Sequence, residues 1–115
     1  MTTKQERRLY EGMYILNASL SEDALKKSLE RITSTIEGNG GEIHKVHEMG
    51  RKKLAYEIDG HKQGQYFLLY YSVLPTLIEE MWKEYHLNED LIRFMTMRAE
   101  EVLEKIEFKP LGEEN

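Results

Sequence analysis

Residues 42–73, EIHKVHEMGRKKLAYEIDGHKQGQYFLLYYSV, decide the fold because they predict a long β-hairpin. We expect the first strand over Glu42–Ile58, and because this is long for one strand, Gly50 at its middle predicts a bulge or bend. The Asp-Gly pair that opens residues 59–64 is typical of a hairpin turn, and we expect that whole stretch to be loop. The second strand is then expected over Gln65–Val73, which is rich in aromatic and branched side chains.

The segments on either side of this hairpin predict two more strands and two helices. Leu9–Asn17 and Leu91–Ala99 have the aromatic and branched composition of strands. One helix is expected over residues 21–38, where glycines end it, and a second over residues 75–88, where a proline begins it. Apolar side chains recur on one face of each predicted helix: Leu25, Leu29, Ile32 and Ile36 in the first, and Leu77, Ile78, Met81 and Tyr85 in the second.

This order of elements, β-α-β-β-α-β, predicts an α+β fold of the ferredoxin-like kind. Right-handed crossovers and adjacent hairpin strands favour a four-stranded antiparallel sheet in the order 4-1-3-2, with both helices on one face. At 115 residues the chain is expected to form one domain. We place that domain at residues 9–99, between a loose N-terminal segment of residues 1–8 and an acidic C-terminal tail of residues 100–115.

The net charge of −5 is unevenly distributed along the chain. Residues 1–99 are nearly neutral, whereas residues 100–115 carry six acidic and two basic side chains. This balance argues against a strongly basic protein that binds nucleic acid unaided. No cysteine is present, which excludes a disulfide scaffold and a thiolate nucleophile. The longest apolar run, residues 66–71, is far too short to span a membrane, and the start of the chain predicts no signal peptide.

The sequence does not predict an enzyme or a bound cofactor. The four histidines, at positions 44, 47, 61 and 86, lack the spacing of metal ligands, and we expect them to lie at the surface. Phosphate-binding loops, dinucleotide fingerprints and hydrolase motifs are missing. Carboxylates are plentiful, but they fall on helix faces and in the tail, where solvated charge is their usual role. We therefore expect no catalytic site, no metal, no cofactor and no small-molecule substrate.

Apolar side chains occupy both faces of the predicted sheet, although helices are expected to cover only one. A sheet face that meets water is usually polar, so an apolar open face indicates a partner protein. The alternative is that residues 100–115 fold back over this face. The residues that we assign to the partner surface are Met13, Ile15, Leu69, Tyr71, Met95 and Met97. For Leu69→Asp we expect weaker partner binding and an intact fold.

Basic residues are more clustered than the net charge suggests. The long strand carries three lysine or arginine residues in succession. Three more arginines are expected to lie close together, two where the first strand begins and one where the fourth strand ends. Phosphate contact is a natural use of such clusters. An ordinary charged edge that prevents strand pairing is the alternative. The candidate phosphate-binding residues are Arg7, Arg8, Arg51, Lys52, Lys53, Arg93 and Arg98.

Residues 50–58, GRKKLAYEI, resemble the signature segment of the bacterial ribosomal small-subunit protein six family. The beginnings of the first, third and fourth strands agree with this family in order and spacing, and they read Tyr10-Glu11, Gly64-Gln65-Tyr66-Phe67 and Leu91-Ile92-Arg93-Phe94-Met95. The resemblance covers about residues 8–100, nearly the whole predicted domain. One departure is Glu57, where many members of the family have proline.

The resemblance implies a structural, non-enzymatic constituent of the small ribosomal subunit, located on the cytoplasmic ribosome. It further implies binding to the central domain of 16S ribosomal RNA, cooperatively with ribosomal small-subunit protein eighteen. The seven candidate phosphate-binding residues are then the candidate RNA-binding residues. An acidic chain that binds RNA weakly alone would gain from a basic protein on its open face. The signature residues Leu54, Ala55, Tyr56 and Ile58 are then expected to shape the strand that carries the basic residues.

Two other functions are consistent with the same fold. RNA-recognition-motif domains share this order of elements, and residues 63–70 partly match their third-strand motif. That function requires Tyr14 to point outward beside Phe67, whereas our partner surface requires Tyr14 to point toward the helices. The other alternative is a self-associating regulatory module, which pairs its open sheet with a second copy and binds no RNA.

Overall fold

Strands and helices follow one another in the expected order in the computed structural model, which describes residues 6–105. The elements are β1 (Arg8–Asn17), α1 (Glu22–Gly38), β2 (Glu42–Ile58), β3 (His61–Val73), a 3₁₀ turn (Pro75–Leu77), α2 (Ile78–His86) and β4 (Leu91–Arg98). The sheet has the order β2-β3-β1-β4, and all neighbours are antiparallel. The ferredoxin-like fold and the strand order 4-1-3-2 are therefore confirmed. The expectations for residues 1–5 and 106–115 lie outside the described residues.

Both ends of α1 follow local sequence signals. Ser21 precedes the helix in an extended conformation, and its hydroxyl accepts a hydrogen bond from the Ala24 N–H at 3.2 Å, which is the N-cap arrangement. At the other end Gly40 has a φ of +80°, and the Gly41 N–H donates to the Ile36 carbonyl at 2.9 Å. Glycine adopts this left-handed conformation without steric cost, so the helix ends where the glycines begin.

The central hairpin has a tighter turn than the sequence indicated. Asp59 and Gly60 both have positive φ, at 48° and 83°, as a two-residue type I′ turn requires. Because that turn matches the twist of the two strands, pairing resumes at His61, and the predicted loop over residues 59–64 is wrong beyond the turn itself. Gly50 has a φ of +82° at a shift in the β2–β3 register, which confirms the predicted bulge.

The main core lies between the helices and one face of the sheet. It is formed by Tyr10, Tyr14, Leu16, Phe67, Leu69, Tyr71 and Val73 of the strands and by Ile32, Ile36, Ile78, Met81 and Tyr85 of the helical segments. At its centre the hydroxyl groups of Tyr14 and Tyr85 lie 2.7 Å apart, and both side chains are buried. This hydrogen bond offsets part of the cost of removing two hydroxyl groups from water. Burial raises the pKa of both tyrosines, which keeps them neutral.

Leu69 and Tyr71 belong to this core and not to the open face, so that part of the predicted partner surface is wrong. Both side chains are fully buried. The register gives the reason, because Leu69 lies opposite Gly12 and Tyr71 opposite Tyr10, which puts both on the face of Tyr14. Leu69→Asp would place a carboxylate in the core and unfold the domain rather than report on a partner.

A smaller apolar cluster lies on the opposite, helix-free face of the sheet. Its buried members are Ile15, Leu54 and Tyr66, and Met13, Met49, Ile58 and Ile92 pack against them. Residues 53–58 of β2 lie beyond the point where the hairpin pairs with β1, yet Leu54 and Ile58 reach back to Ile15. The far end of the hairpin therefore covers part of the helix-free face.

Candidate functional site

The C-terminal residues 99–105, which we call the strap, cover another part of the helix-free face. The strap continues from the end of β4 and reaches β2 at the opposite edge of the sheet. There the Leu103 carbonyl oxygen lies 2.7 Å from His47 Nε2, and the Glu104 carboxylate lies 3.1 Å from Lys45 Nζ. The ion pair is partly exposed and therefore contributes little to holding the strap in place.

Tyr70 of β3 lies beside the strap and is fully buried, although no helix covers this face. Its hydroxyl donates to the Glu11 carboxylate at 2.8 Å. Burial, then the hydrogen bond to Glu11 and the charge of that carboxylate, raise the pKa of Tyr70 to about 12. Residues 100–105 of the tail therefore fold back over this part of the open face, as the alternative expected. Residues 106–115 lie outside the described residues.

Met13, Met95 and Met97 form the part of the helix-free face that the hairpin and the strap leave most accessible, and we call these three residues the methionine surface. Met13 and Met95 are cross-strand partners, and Met95 and Met97 are each 53% exposed. Neighbouring exposed apolar side chains on a sheet are typical of a protein contact. Of the predicted partner residues, Met95 and Met97 are exposed on the open face and Met13 is half-buried there, whereas Ile15 is buried under the hairpin.

An apolar groove of about 310 Å³ runs from the methionine surface to the hairpin. Leu54, Tyr66 and Met95 are among the residues that line it, together with Tyr56 and Arg93. Tyr56 is 57% exposed, and its hydroxyl accepts a hydrogen bond from Arg93 Nη1 at 3.4 Å. The sequence suggested only a structural role for Tyr56, but its side chain lies open to solvent beside a candidate RNA-binding arginine.

The seven candidate RNA-binding residues form two groups at opposite ends of the sheet. The hairpin group consists of Arg51, Lys52, Lys53 and Arg93, and the end group consists of Arg7, Arg8 and Arg98. Arg98 lies opposite Tyr10 of β1, so it is near Arg8 as expected. Through β3, Arg51 is level with Leu16 of β1, which is eight residues from Arg8, about 26 Å for an extended strand, whereas Arg93 and Arg98 are five residues apart on β4, about 17 Å. The seven residues therefore do not form a single compact patch.

Arg51 and Arg7, like Arg93 with its contact to Tyr56, also contact atoms of the protein itself. Arg51 Nη2 donates to the Ala18 carbonyl at 3.1 Å, which holds the guanidinium beside the loop after β1. Arg7 lies 3.9 Å from a carboxylate oxygen of Glu42, in an exposed pair that contributes little to stability. A guanidinium has five N–H donors, so each of these side chains can also bind a phosphate oxygen.

Tyr14 and Phe67 both point toward the helices, so they do not form the stacking surface of an RNA-recognition motif. Tyr14 is fully buried, and Phe67 is buried in the same core. Base stacking on such domains uses aromatic faces on the helix-free side of the sheet. The structure therefore contradicts this alternative at the residues on which it depended.

His44 and His47 make hydrogen bonds within the fold. His44 Nε2 lies 2.7 Å from Ser72 Oγ, and His47 contacts the strap. Within residues 6–105, no group of three or more acidic or histidine side chains is arranged to hold a metal ion. Neither helix in that part of the chain is long and apolar enough to cross a membrane.

Comparison with known proteins gives a match along most of the chain. The family model described as ribosomal protein S6 matches residues 9–98. Small ribosomal subunit protein bS6 of Protochlamydia amoebophila is 56% identical over 112 residues, which cover 97% of this chain and 98% of the relative. The bS6 protein of Chlamydia pneumoniae is 56% identical over 110 residues, which cover 96% of this chain and 98% of the relative. The crystal structure of 30S ribosomal protein S6 from Thermotoga maritima matches with a TM-score of 0.77 and 32% identity, over 82% of this chain and 89% of that one.

Proposed function

This chain belongs to the ribosomal protein S6 family, constituents of the small ribosomal subunit, and we propose that it binds the central domain of 16S ribosomal RNA together with small-subunit protein eighteen. One observation carries the cooperative form of this proposal. The chain has a net charge of −5, and its helix-free sheet face keeps two methionines that are each 53% exposed. Such a protein is poorly suited to bind RNA alone and well suited to bind a basic protein.

Electrostatics supports the need for a partner. Affinity for RNA comes largely from the release of counterions by lysine and arginine, and a net negative chain is repelled by the phosphates at long range. A basic protein docked on the methionine surface would cover Met95 and Met97 and add positive charge to the complex. The protein–protein contact then contributes to RNA binding as a coupling free energy, typically about 1–3 kcal/mol.

The hairpin group is the RNA contact that we propose as the stronger of the two. It holds four of the seven candidate residues at one end of the sheet, next to the groove that leads to the methionine surface. Strand alternation puts Lys52 on the side of Tyr66, and Arg51 and Lys53 on the other side. Basic side chains on both sides of the hairpin could contact phosphates on either side of it.

The salt dependence of binding tests the hairpin group. Arg51→Gln combined with Lys53→Gln should reduce the slope of log K against log salt by about 1.4–1.8, because each phosphate contact contributes about 0.7–0.9. The measurement is a titration of a labelled central-domain fragment of 16S ribosomal RNA with this protein and protein eighteen over a range of salt. Lys26→Gln combined with Lys27→Gln, on the exposed side of α1, is the matched control. Equal slopes for the two double variants would exclude Arg51 and Lys53 as phosphate contacts.

A further inference from the structure

The two edge strands of the sheet differ in how they are protected against pairing with another chain. β2, at one edge, carries four lysine or arginine side chains, and its register with β3 shifts at three places. Charged side chains and bulges are devices by which proteins block unwanted strand addition. β4, at the other edge, has basic residues only at positions 93 and 98, and residues 93–98 pair with β1 without a shift. The β4 edge is therefore much less protected.

The backbone groups on the outer side of β4 follow from its pairing with β1. The Ala99 N–H donates to the Leu9 carbonyl at 3.0 Å, so Ala99 faces β1. Successive residues of an antiparallel strand direct their backbone N–H and C=O groups to opposite sides. The backbone groups of Met95 and Met97 therefore also point toward β1. Within residues 6–105 no strand lies on the other side of β4. The residues whose backbone groups point to that outer side are Phe94, Thr96 and Arg98.

Apolar side chains flank this edge on both faces of the sheet. On the helix-free face, Met95 and Met97 are more than half exposed. On the helix face, Trp82 of α2 is 39% exposed, and its Nε1–H donates to Thr96 Oγ1 at 3.1 Å. A strand added beside β4 would therefore gain backbone hydrogen bonds and bury apolar surface on both of its faces, as in β-augmentation.

We propose that β4 accepts an extended segment of the basic partner protein as a fifth strand of the sheet. This inference rests on the proposed function, because the methionine surface on which that partner docks continues directly into the β4 edge. Charge favours this occupant over a second copy of the chain. Each copy of the chain carries a net charge of −5, so two copies repel one another at long range, whereas a basic segment is attracted to this chain.

Amide hydrogen exchange of the ¹⁵N-labelled full-length protein tests the pairing directly. The Phe94 and Thr96 amides should exchange rapidly in the free protein and slow by about tenfold or more when purified protein eighteen is added. The Met95 and Met97 amides, which already face β1, should be slow in both states. Binding of protein eighteen with unchanged exchange at Phe94 and Thr96 would overturn the edge proposal and leave the proposed function standing.

Substitutions at Thr96 give an independent test. Thr96→Pro removes an outward N–H without removing a β1–β4 hydrogen bond, and edge strands tolerate proline in this orientation. Thr96→Val is the matched control, because it loses the same contact with Trp82 but keeps the N–H. We expect Thr96→Pro to weaken the binding of protein eighteen by about tenfold relative to Thr96→Val. Thr96→Lys, which adds an edge charge, serves the same purpose if the proline variant does not fold.

Three further outcomes would overturn the proposal. Protection of Phe94 and Thr96 that rises with the concentration of this protein alone would identify a second copy as the occupant. Failure of protein eighteen to bind at all would refute the proposed function, and the edge proposal with it. Equal binding by the proline and valine variants would show that the outward N–H of Thr96 has no bonding partner in the complex.

Discussion

Replacing the two exposed methionines of β4 tests whether the methionine surface binds protein eighteen. Met95 and Met97 are each 53% exposed, so about half of each side chain is available for burial by a partner. Complete burial of a methionine is worth roughly 1.5–3 kcal/mol, which gives about 1 kcal/mol for the exposed half. Met95→Ala combined with Met97→Ala should therefore weaken binding by about 2 kcal/mol, or roughly thirtyfold in Kd.

Isothermal titration of the double variant with purified protein eighteen measures this loss. Leu87→Ala is the matched control, because Leu87 is 73% exposed but lies at the end of α2, away from the helix-free face. The control should bind like the wild type, and urea denaturation should give free energies of unfolding within about 0.5 kcal/mol of the wild type for both variants. An unchanged Kd for the double variant would refute the methionine surface as the docking site.

Three further predictions concern stability. Leu69→Ala should lower the free energy of unfolding by about 2–5 kcal/mol, because the side chain is fully buried in the main core, and a loss typical of a surface residue would contradict that placement. Gly64→Ala should cost about 1–3 kcal/mol, since a Cβ there would overlap Ile15 Cγ2, and wild-type stability in urea would count against this packing. Stability should fall as pH rises from about 10 through about 12, because the unfolded tyrosine ionises before the buried Tyr70, and Tyr70→Phe should make that fall shallower. Identical pH profiles for this variant and the wild type would exclude a contribution from Tyr70.

Much of the fold could be predicted because its signals are local. Ser21 caps α1 with its own hydroxyl, and Gly40 and Gly50 occupy left-handed positions that other residues rarely adopt. The Asp59-Gly60 pair determines the turn of the hairpin in the same way. These requirements act over a few residues, so the places where helices end and strands bend or turn can be predicted from the neighbouring sequence.

The assignment of β3 to faces could not be predicted, because it depends on register rather than on pattern. Both alternating sets of β3 side chains are apolar, so a shift of one residue changes no local preference. In the structure Leu68 and Tyr70 take the helix-free face instead of Leu69 and Tyr71. A useful signal was Glu11, whose carboxylate accepts a hydrogen bond from Tyr70 on that face.

Contacts between distant segments account for the rest of what was missed. The strap depends on His47 and Leu103, which are 56 residues apart, and neither residue type indicates the other in the sequence. The exposure of Tyr56 depends on how the far end of the hairpin folds back over Ile15. The division of the basic residues into two groups likewise follows from the registers of the sheet.

Fluorescence anisotropy of a labelled 16S central-domain fragment tests cooperative assembly most directly. The fragment is titrated with this protein alone and then in the presence of protein eighteen, at one fixed salt concentration, because RNA affinity depends strongly on salt. We predict weak binding by this protein alone and binding about tenfold tighter or more with protein eighteen, as a coupling free energy above about 1.4 kcal/mol requires. Equal affinity with and without protein eighteen would contradict the cooperative mechanism.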